Sequence, residues 1–482
     1  MRARALAVLT AEENRKWLTL GAVSFGLFMI MLDNTVVNVA LPTMQRDLHV
    51  SVSQLEWVVI AYALTFAALL ITGGKLGDLY GRRRIFVVGL AIFTLSSLAC
   101  GLAPSAGFLI GARAVQGAGA ALMNPATLSI IVATFPPKQR GTAIGIWAGV
   151  SALALAIGPL GGGLITEHIN WNWIFFVNVP IGAIAIVVSQ LVIRESRDTS
   201  VEQRIDLPGL FTSIAFLFSL SYALVEGNSH GWTSPEILGL FVAAVVFLAA
   251  FVTLETRQRL AMLDLSLFRI GAFTGANIVA MLVSLSMFGV FFFVTLYVQN
   301  ILHYRPAKAG ATFLPMVLLI IFIAPIAGRL SDRIGSRWLM GGGMTLLGIS
   351  LLLYERVTVH SDFWTLLPPM LVGGFGMAMT MSPMTSAAMG AVPVDKAGVG
   401  SGVLNSFRQV GGSLGIAVMG AIVGSYLHHP PGSPAAAQDY VNGLHSGFEV
   451  GAGITFVAAA VAIVLVRTRP EVVREHIVEI AA

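Results

Sequence analysis

Roughly fourteen stretches of this chain are apolar for about 20 residues each, the length an α-helix needs to cross about 30 Å of hydrocarbon at about 1.5 Å per residue. They run approximately 17–40, 55–73, 85–103, 107–133, 141–165, 173–193, 207–225, 236–254, 272–300, 308–327, 338–354, 363–388, 398–425 and 448–466. Together they take up 312 of the 482 residues. Composition agrees: 56% of residues are hydrophobic and 11% charged, against about 45–50% and about 25% in a soluble domain. An ordinary soluble enzyme is excluded, and an all-α integral membrane fold is expected.

The net charge of +5 does not point to nucleic acid, because basic residues of membrane proteins gather in cytoplasmic loops. Of 29 lysines and arginines, 23 fall in loops on one side when the N-terminus is placed inside, four fall on the other side, and Arg113 and Arg408 lie within spans. An even helix count with both termini cytoplasmic, in the cytoplasmic membrane, fits this asymmetry. The single cysteine, Cys100, excludes an intrachain disulfide and a thiolate metal cluster. Eight of nine histidines fall at or near outer loops, so no histidine relay crosses the membrane and no metal site is expected.

GKLGDLYGRRR at 74–84 returns as GRLSDRIGSR at 328–337, matching at Gly74/Gly328, Leu76/Leu330, Asp78/Asp332, Gly81/Gly335 and Arg83/Arg337. Each copy follows the second helix of a six-helix set. The expected organisation is a cytoplasmic tail (1–16), an N-terminal six-helix bundle (17–193), a linker (194–206), two inserted helices (207–254), a linker (255–271), a C-terminal six-helix bundle (272–466) and a cytoplasmic tail (467–482). Repeated halves related by an axis along the membrane normal characterise transporters whose substrate site lies near the midplane.

With LDNTVVNVALP (Leu32–Pro42), GKLGDLYGRRR, LIGARAVQGAGAA (Leu109–Ala121) and the fifth-helix set Gly145, Gly158, Pro159, Gly162 and Gly163, the chain resembles the major facilitator superfamily and, within it, the fourteen-span drug/proton antiporters. The resemblance implies the major facilitator fold and proton-coupled export of lipophilic or cationic compounds by alternating access. It also implies a proton-coupling role for Arg113, and makes the fifth-helix glycines an antiporter motif. Uptake or facilitated movement of a nutrient or metabolite, and a non-transporting sensor or assembly partner, are the alternative readings.

Asp33 is read as the acid well inside an apolar span. A charged aspartate there costs about 2.5–3.5 kcal/mol on insertion scales and needs a cavity or a partner. It is therefore the expected proton carrier, with Arg113 as its coupling partner; a permanently paired carboxylate holding helix 1 to a neighbour is the structural alternative. Arg408 is expected to be paired inside the protein, with Asn405 as one partner. Asn34, Asn38, Trp57, Tyr62, Gln116, Tyr297 and Gln299 are the expected substrate contacts, since aromatic faces attract organic cations. Gly74, Asp78, Gly81, Arg82 and Arg83, with Asp332 and Arg333 as a second copy, are read as a conformational latch at the cytoplasmic mouth. No nucleotide-binding GxxxxGK[ST] pattern is present, and no nucleophile, base and orienting group assemble from the deep residues. No cofactor is expected, only the proton gradient as energy source. The implied partners are a small-molecule substrate, protons and the bilayer, with room for a periplasmic adaptor.

Overall fold

A computed structural model describes residues 12–197, 206–257, 265–392, 397–430 and 433–467. Most of both expected tails and parts of the two linkers lie outside these residues. The chain is helical from end to end: α1 (Glu12–Leu48), α2 (Val52–Tyr80), α3 (Arg82–Gly101), α4 (Ala106–Thr134), α5 (Pro137–His168), α6 (Trp173–Phe176 continuing as Asn178–Val192), α7 (Leu207–His230), α8 (Pro235–Arg257), α9 (Gly271–Asn300), α10 (Pro306–Thr312 continuing as Leu314–Ile334), α11 (Ser336–Leu353), α12 (Phe363–Gly390), α13 (Ala397–Tyr426) and α14 (Pro434–Leu465). No strand occurs among the described residues. Thirteen of these helices are long and apolar enough to cross a membrane, counting described residues only. The remaining one, α5, has 32 residues, about 48 Å of helix.

The sequence repeat is a structural repeat. Gly81 ends α2 at φ +110° and Gly335 ends α10 at φ +85°, a backbone region that costs an L-residue about 1–2 kcal/mol and glycine nothing. That is why glycine recurs at this place in both copies. Helix pairing repeats as well: α2 packs on α4, α3 on α4 and α1 on α5, and their counterparts α10 on α12, α11 on α12 and α9 on α13 do the same. The halves then meet through an equivalent crossed pair, α2 with α13 and α5 with α10.

Helix α1 differs from the sequence expectation at its end. It does not stop near 40 but runs through Pro42 to Leu48. The inserted pair also takes a definite place: α7 packs on α2 and α13, one helix from each half. Glu226 of α7 accepts hydrogen bonds from Ser53 Oγ (2.8 Å) and Trp57 Nε1 (3.1 Å) of α2. Asn228 Nδ2 donates to the Ala421 carbonyl of α13 at 2.8 Å. Helix α8 packs mainly on α7 and exposes Val242, Val245 and Val246, an apolar face suited to lipid.

Candidate functional site

Glycines of the LIGARAVQGAGAA segment set the first cluster in place. A Cβ on Gly117 would run into Thr65 and the Tyr62 carbonyl of α2, and one on Gly119 into the backbone of Phe93 in α3. Only glycine lets α4 approach both neighbours so closely. Thr65 Oγ1 then bridges α2 to α4 by donating to the Ala114 carbonyl at 2.8 Å.

This contact brings Arg113 and Gln116 against α1. Arg113 Nη1 donates to Asp33 Oδ2 at 2.5 Å and to Gln116 Oε1 at 2.7 Å, while Gln116 Nε2 donates to Asp33 Oδ1 at 3.1 Å. Arg113 Nε donates to the Val58 carbonyl of α2 at 3.1 Å. The Tyr62 ring lies under the guanidinium at 4.2 Å, a cation–π contact. Asp33 is 0% and Arg113 1% exposed. Charge, hydrogen bonds and ring face are thus matched inside one closed triad spanning α1, α2 and α4.

A separate cavity of about 230 Å³ lies between the halves. Asn34, Thr35 and Asn38 of α1 line it. Asp33 does not, because consecutive helical residues are about 100° apart and its carboxylate turns toward α4. Across from α1 the wall is apolar and soft: Met287, Phe288 and Phe291 of α9, Met316 of α10, Met377 and Met381 of α12. Helix α13 adds Asn405, Arg408 and Gln409. Helix α13 is held close to α9, where a Cβ on Gly411 or Gly415 would strike the Met281 or Leu285 carbonyl. Contrary to the sequence expectation, Arg408 has no hydrogen-bond or ion-pair partner among the described residues, Asn405 included. Arg408 lines the cavity instead.

The other expected contacts are placed elsewhere. Tyr62 and Gln116 belong to the Asp33–Arg113 cluster. Trp57 is held by Glu226. Tyr297 donates its hydroxyl to the Thr358 carbonyl at 2.5 Å, and Gln299 Nε2 donates to the Val39 carbonyl at 2.8 Å. This last bond joins the two halves at the arginine-poor end, where further contacts close the gap. Glu167 of α5 accepts from Ala307 N at 3.0 Å, and a Cβ on Gly163 or Gly310 would collide with the Pro306 or Pro159 carbonyl. Gly158 and Gly162 admit Thr35 and Val36 of α1 in the same way.

At the arginine-rich end Asp78 accepts from Arg82 Nε and Nη2, 3.0 and 2.8 Å, within its own half. Glu195, which follows α6, accepts from the Arg83 and Arg84 amides at 3.0 and 3.2 Å and so caps α3. A Cβ on Gly74 would only come into ordinary contact with Pro125 of α4. Arg333 is in the last turn of α10. Asp332 and Gly145 lie outside the residues whose surroundings the structure describes.

One residue escaped the sequence reading. Glu56, near the start of α2, is 3% exposed, and its Oε2 has no hydrogen-bond partner. The carboxylate lies over Gly420 of α13, where a Cβ would collide with it. Glu56 is the second residue of the expected span 55–73, and an acid at a span's edge gives no sign in the sequence of being buried against another helix.

The Major Facilitator Superfamily sequence profile matches residues 23–416 and 276–479. The chain belongs to the major facilitator superfamily. It is 38% identical over 413 residues to the multidrug resistance protein Stp of Mycobacterium tuberculosis, covering 85% of this chain and 76% of that one. It is 36% identical over 479 residues to the puromycin resistance protein pur8 of Streptomyces alboniger, covering 97% and 95%. The tetracenomycin C resistance and export protein of Streptomyces glaucescens is 36% identical over 411 residues, covering 85% and 76%. A crystal structure of a bacterial homologue of the human lysosomal transporter Spinster superposes with a TM-score of 0.68 at 19% identity, covering 94% and 97%. Within this superfamily fold, the cavity between the halves is where a transported molecule has access to both.

Proposed function

We propose that this protein is a proton-coupled antiporter that exports lipophilic, antibiotic-like compounds across the cytoplasmic membrane by alternating access. The buried Asp33–Arg113 pair carries the reading. In this state the carboxylate is held by Arg113 and Gln116. In the opposite state α1 shifts against α4 within the N-terminal half and frees it, and Asp33 then takes a proton from the outside. Re-forming the pair expels that proton toward the cytoplasm. A side chain that alternates between an ionic partner and a proton is a two-state element that both the proton gradient and the substrate can bias.

Export as the direction is supported by relatives named for drug resistance and export. The arginine-rich end is assigned to the cytoplasm by the positive-inside tendency. With the arginine-poor end closed by Gln299, Glu167 and Gly310, this arrangement corresponds to a cytoplasm-facing state. Asp78, which among the described residues pairs with Arg82 of its own half, is then a latch waiting for the opposite state. Everted membrane vesicles with an acidic interior test the reading. A panel of anionic, neutral and cationic fluorescent amphiphiles should contain members that accumulate inside and at the same time discharge the pH gradient. Accumulation without proton movement would remove the antiport mechanism, and no accumulation of any member would remove export.

A further inference from the structure

Among the described residues lining the central cavity, Arg408 is the only charged side chain. It has no counter-ion among the described residues, whereas Asp33, the acid expected to attract cations, is fully buried and neutralised by Arg113. An arginine stays charged in proteins, and a desolvated charge without a partner is costly. The remaining polar lining, which includes Asn34, Asn38, Asn124, Asn405 and Gln409, consists of amides and hydroxyls and is neutral. Asn34 and Asn38 donate from Nδ2 to the α1 backbone, to the carbonyls of Ile30 (3.0 Å) and Asn34 (2.9 Å). The cavity therefore offers a positive field and an apolar wall of methionines and phenylalanines.

We propose that Arg408 makes this cavity a site for lipophilic monoanions, with an aromatic body against α9, α10 and α12 and one carboxylate, phenolate or similar anionic oxygen on the guanidinium. The proposal rests on the export reading for its biological setting and narrows the substrate class of the same cavity. A planar guanidinium binds an anionic oxygen through short charge-assisted hydrogen bonds. The methionine and aromatic lining tolerates varied shapes. Selection is then by charge sign at one point and by little else, which suits a site serving several compounds.

The test uses the full chain purified in detergent micelles, with N-phenyl-1-naphthylamine as a neutral fluorescent probe. Tetraphenylborate and tetraphenylphosphonium, nearly isosteric ions of opposite sign, compete for its site. The wild type should be displaced by the anion at a concentration about tenfold or more below that of the cation, the ratio expected of one charge-assisted contact. Arg408→Gln should collapse the ratio toward one, and Arg408→Lys should keep most of it. Asn405→Asp, which supplies a carboxylate on the same helix face, should erase the preference even if Arg408→Gln does not fold. Equal or tighter competition by the phosphonium ion in the wild type would overturn the proposal, as would an unchanged ratio in Arg408→Gln or Asn405→Asp. Vesicle uptake of the neutral probe is measured in parallel. A retained anion preference without uptake would overturn the export reading and leave the assignment of Arg408 standing.

Discussion

Asp33 and Arg113 meet at 2.5 Å with both side chains sealed from the cavity that the adjacent Asn34 lines. The ion pair and the cavity are thus neighbours on one helix but open to different surroundings. On the antiport reading proposed above, coupling between them has to pass through movement of α1 itself. A ligand resting on Asn34, Thr35 and Asn38 would act on the same rigid element that carries Asp33, so that ligand and proton would compete through helix position rather than for one carboxylate.

Removing one partner of this pair should be far worse than removing both. Asp33→Asn or Arg113→Gln leaves an uncompensated buried group and should cost about 3–5 kcal/mol. The double substitution should lose much less than the sum. Thermal unfolding in detergent of the two single variants and the double variant checks this, and strict additivity would mean that the pair is not energetically coupled.

Gly81→Ala should lower stability by more than the about 1–2 kcal/mol of left-handed strain alone, because the new Cβ also meets the Glu195 carboxylate that caps α3. Glu195→Ala should cost about 1 kcal/mol through loss of the cap. Expression level and melting temperature of the two variants, compared with the wild type, report both effects.

Closure at the arginine-poor end can be followed with thiol chemistry, since Cys100 is buried at 0% exposure and should stay silent. A cysteine replacing the cavity-lining Asn38 should be protected from a membrane-impermeant maleimide added on that side. Gly310→Val, which wedges α10 from the Pro159 carbonyl, should raise labelling several-fold. Unchanged labelling would show that this contact does not close the path.

Much of this architecture was legible in the sequence because lipid imposes a length rule on every helix, and because Gly81 and Gly335 repeat a backbone requirement that no other residue meets cheaply. Asp33 and Arg113 stood out as isolated charges in apolar runs. Asn34 and Asn38, expected as substrate contacts, do line the cavity, but the rest of its wall did not stand out, and the reason is physical. Helices buried in protein on one face and in lipid on the other are apolar all round, so Trp57, Tyr62 and Tyr297 carried no sign of which face they occupy. Arg408 was placed in a pair because an unpartnered arginine is costly, and its place in the cavity wall emerges only from the packing of both halves around that space. Glu56 was hidden by its position at a span's edge.

Glu56 and Gly420 give the last structural prediction. Gly420→Ala forces the buried carboxylate off its seat between α2 and α13, an overpacking change of about 1–3 kcal/mol. It should reduce transport, and Glu56→Ala should relieve the clash when combined with it. Vesicle uptake of the three variants measures this, and a Gly420→Ala protein with full activity would contradict the tight α2–α13 contact.

The most direct measurement is substrate-induced discharge of a preset pH gradient in everted vesicles, comparing wild type with Asp33→Asn at equal membrane content. The account predicts discharge by the wild type and none by the variant, although the variant still binds the neutral probe in its cavity. Discharge of equal rate and extent by Asp33→Asn would contradict it.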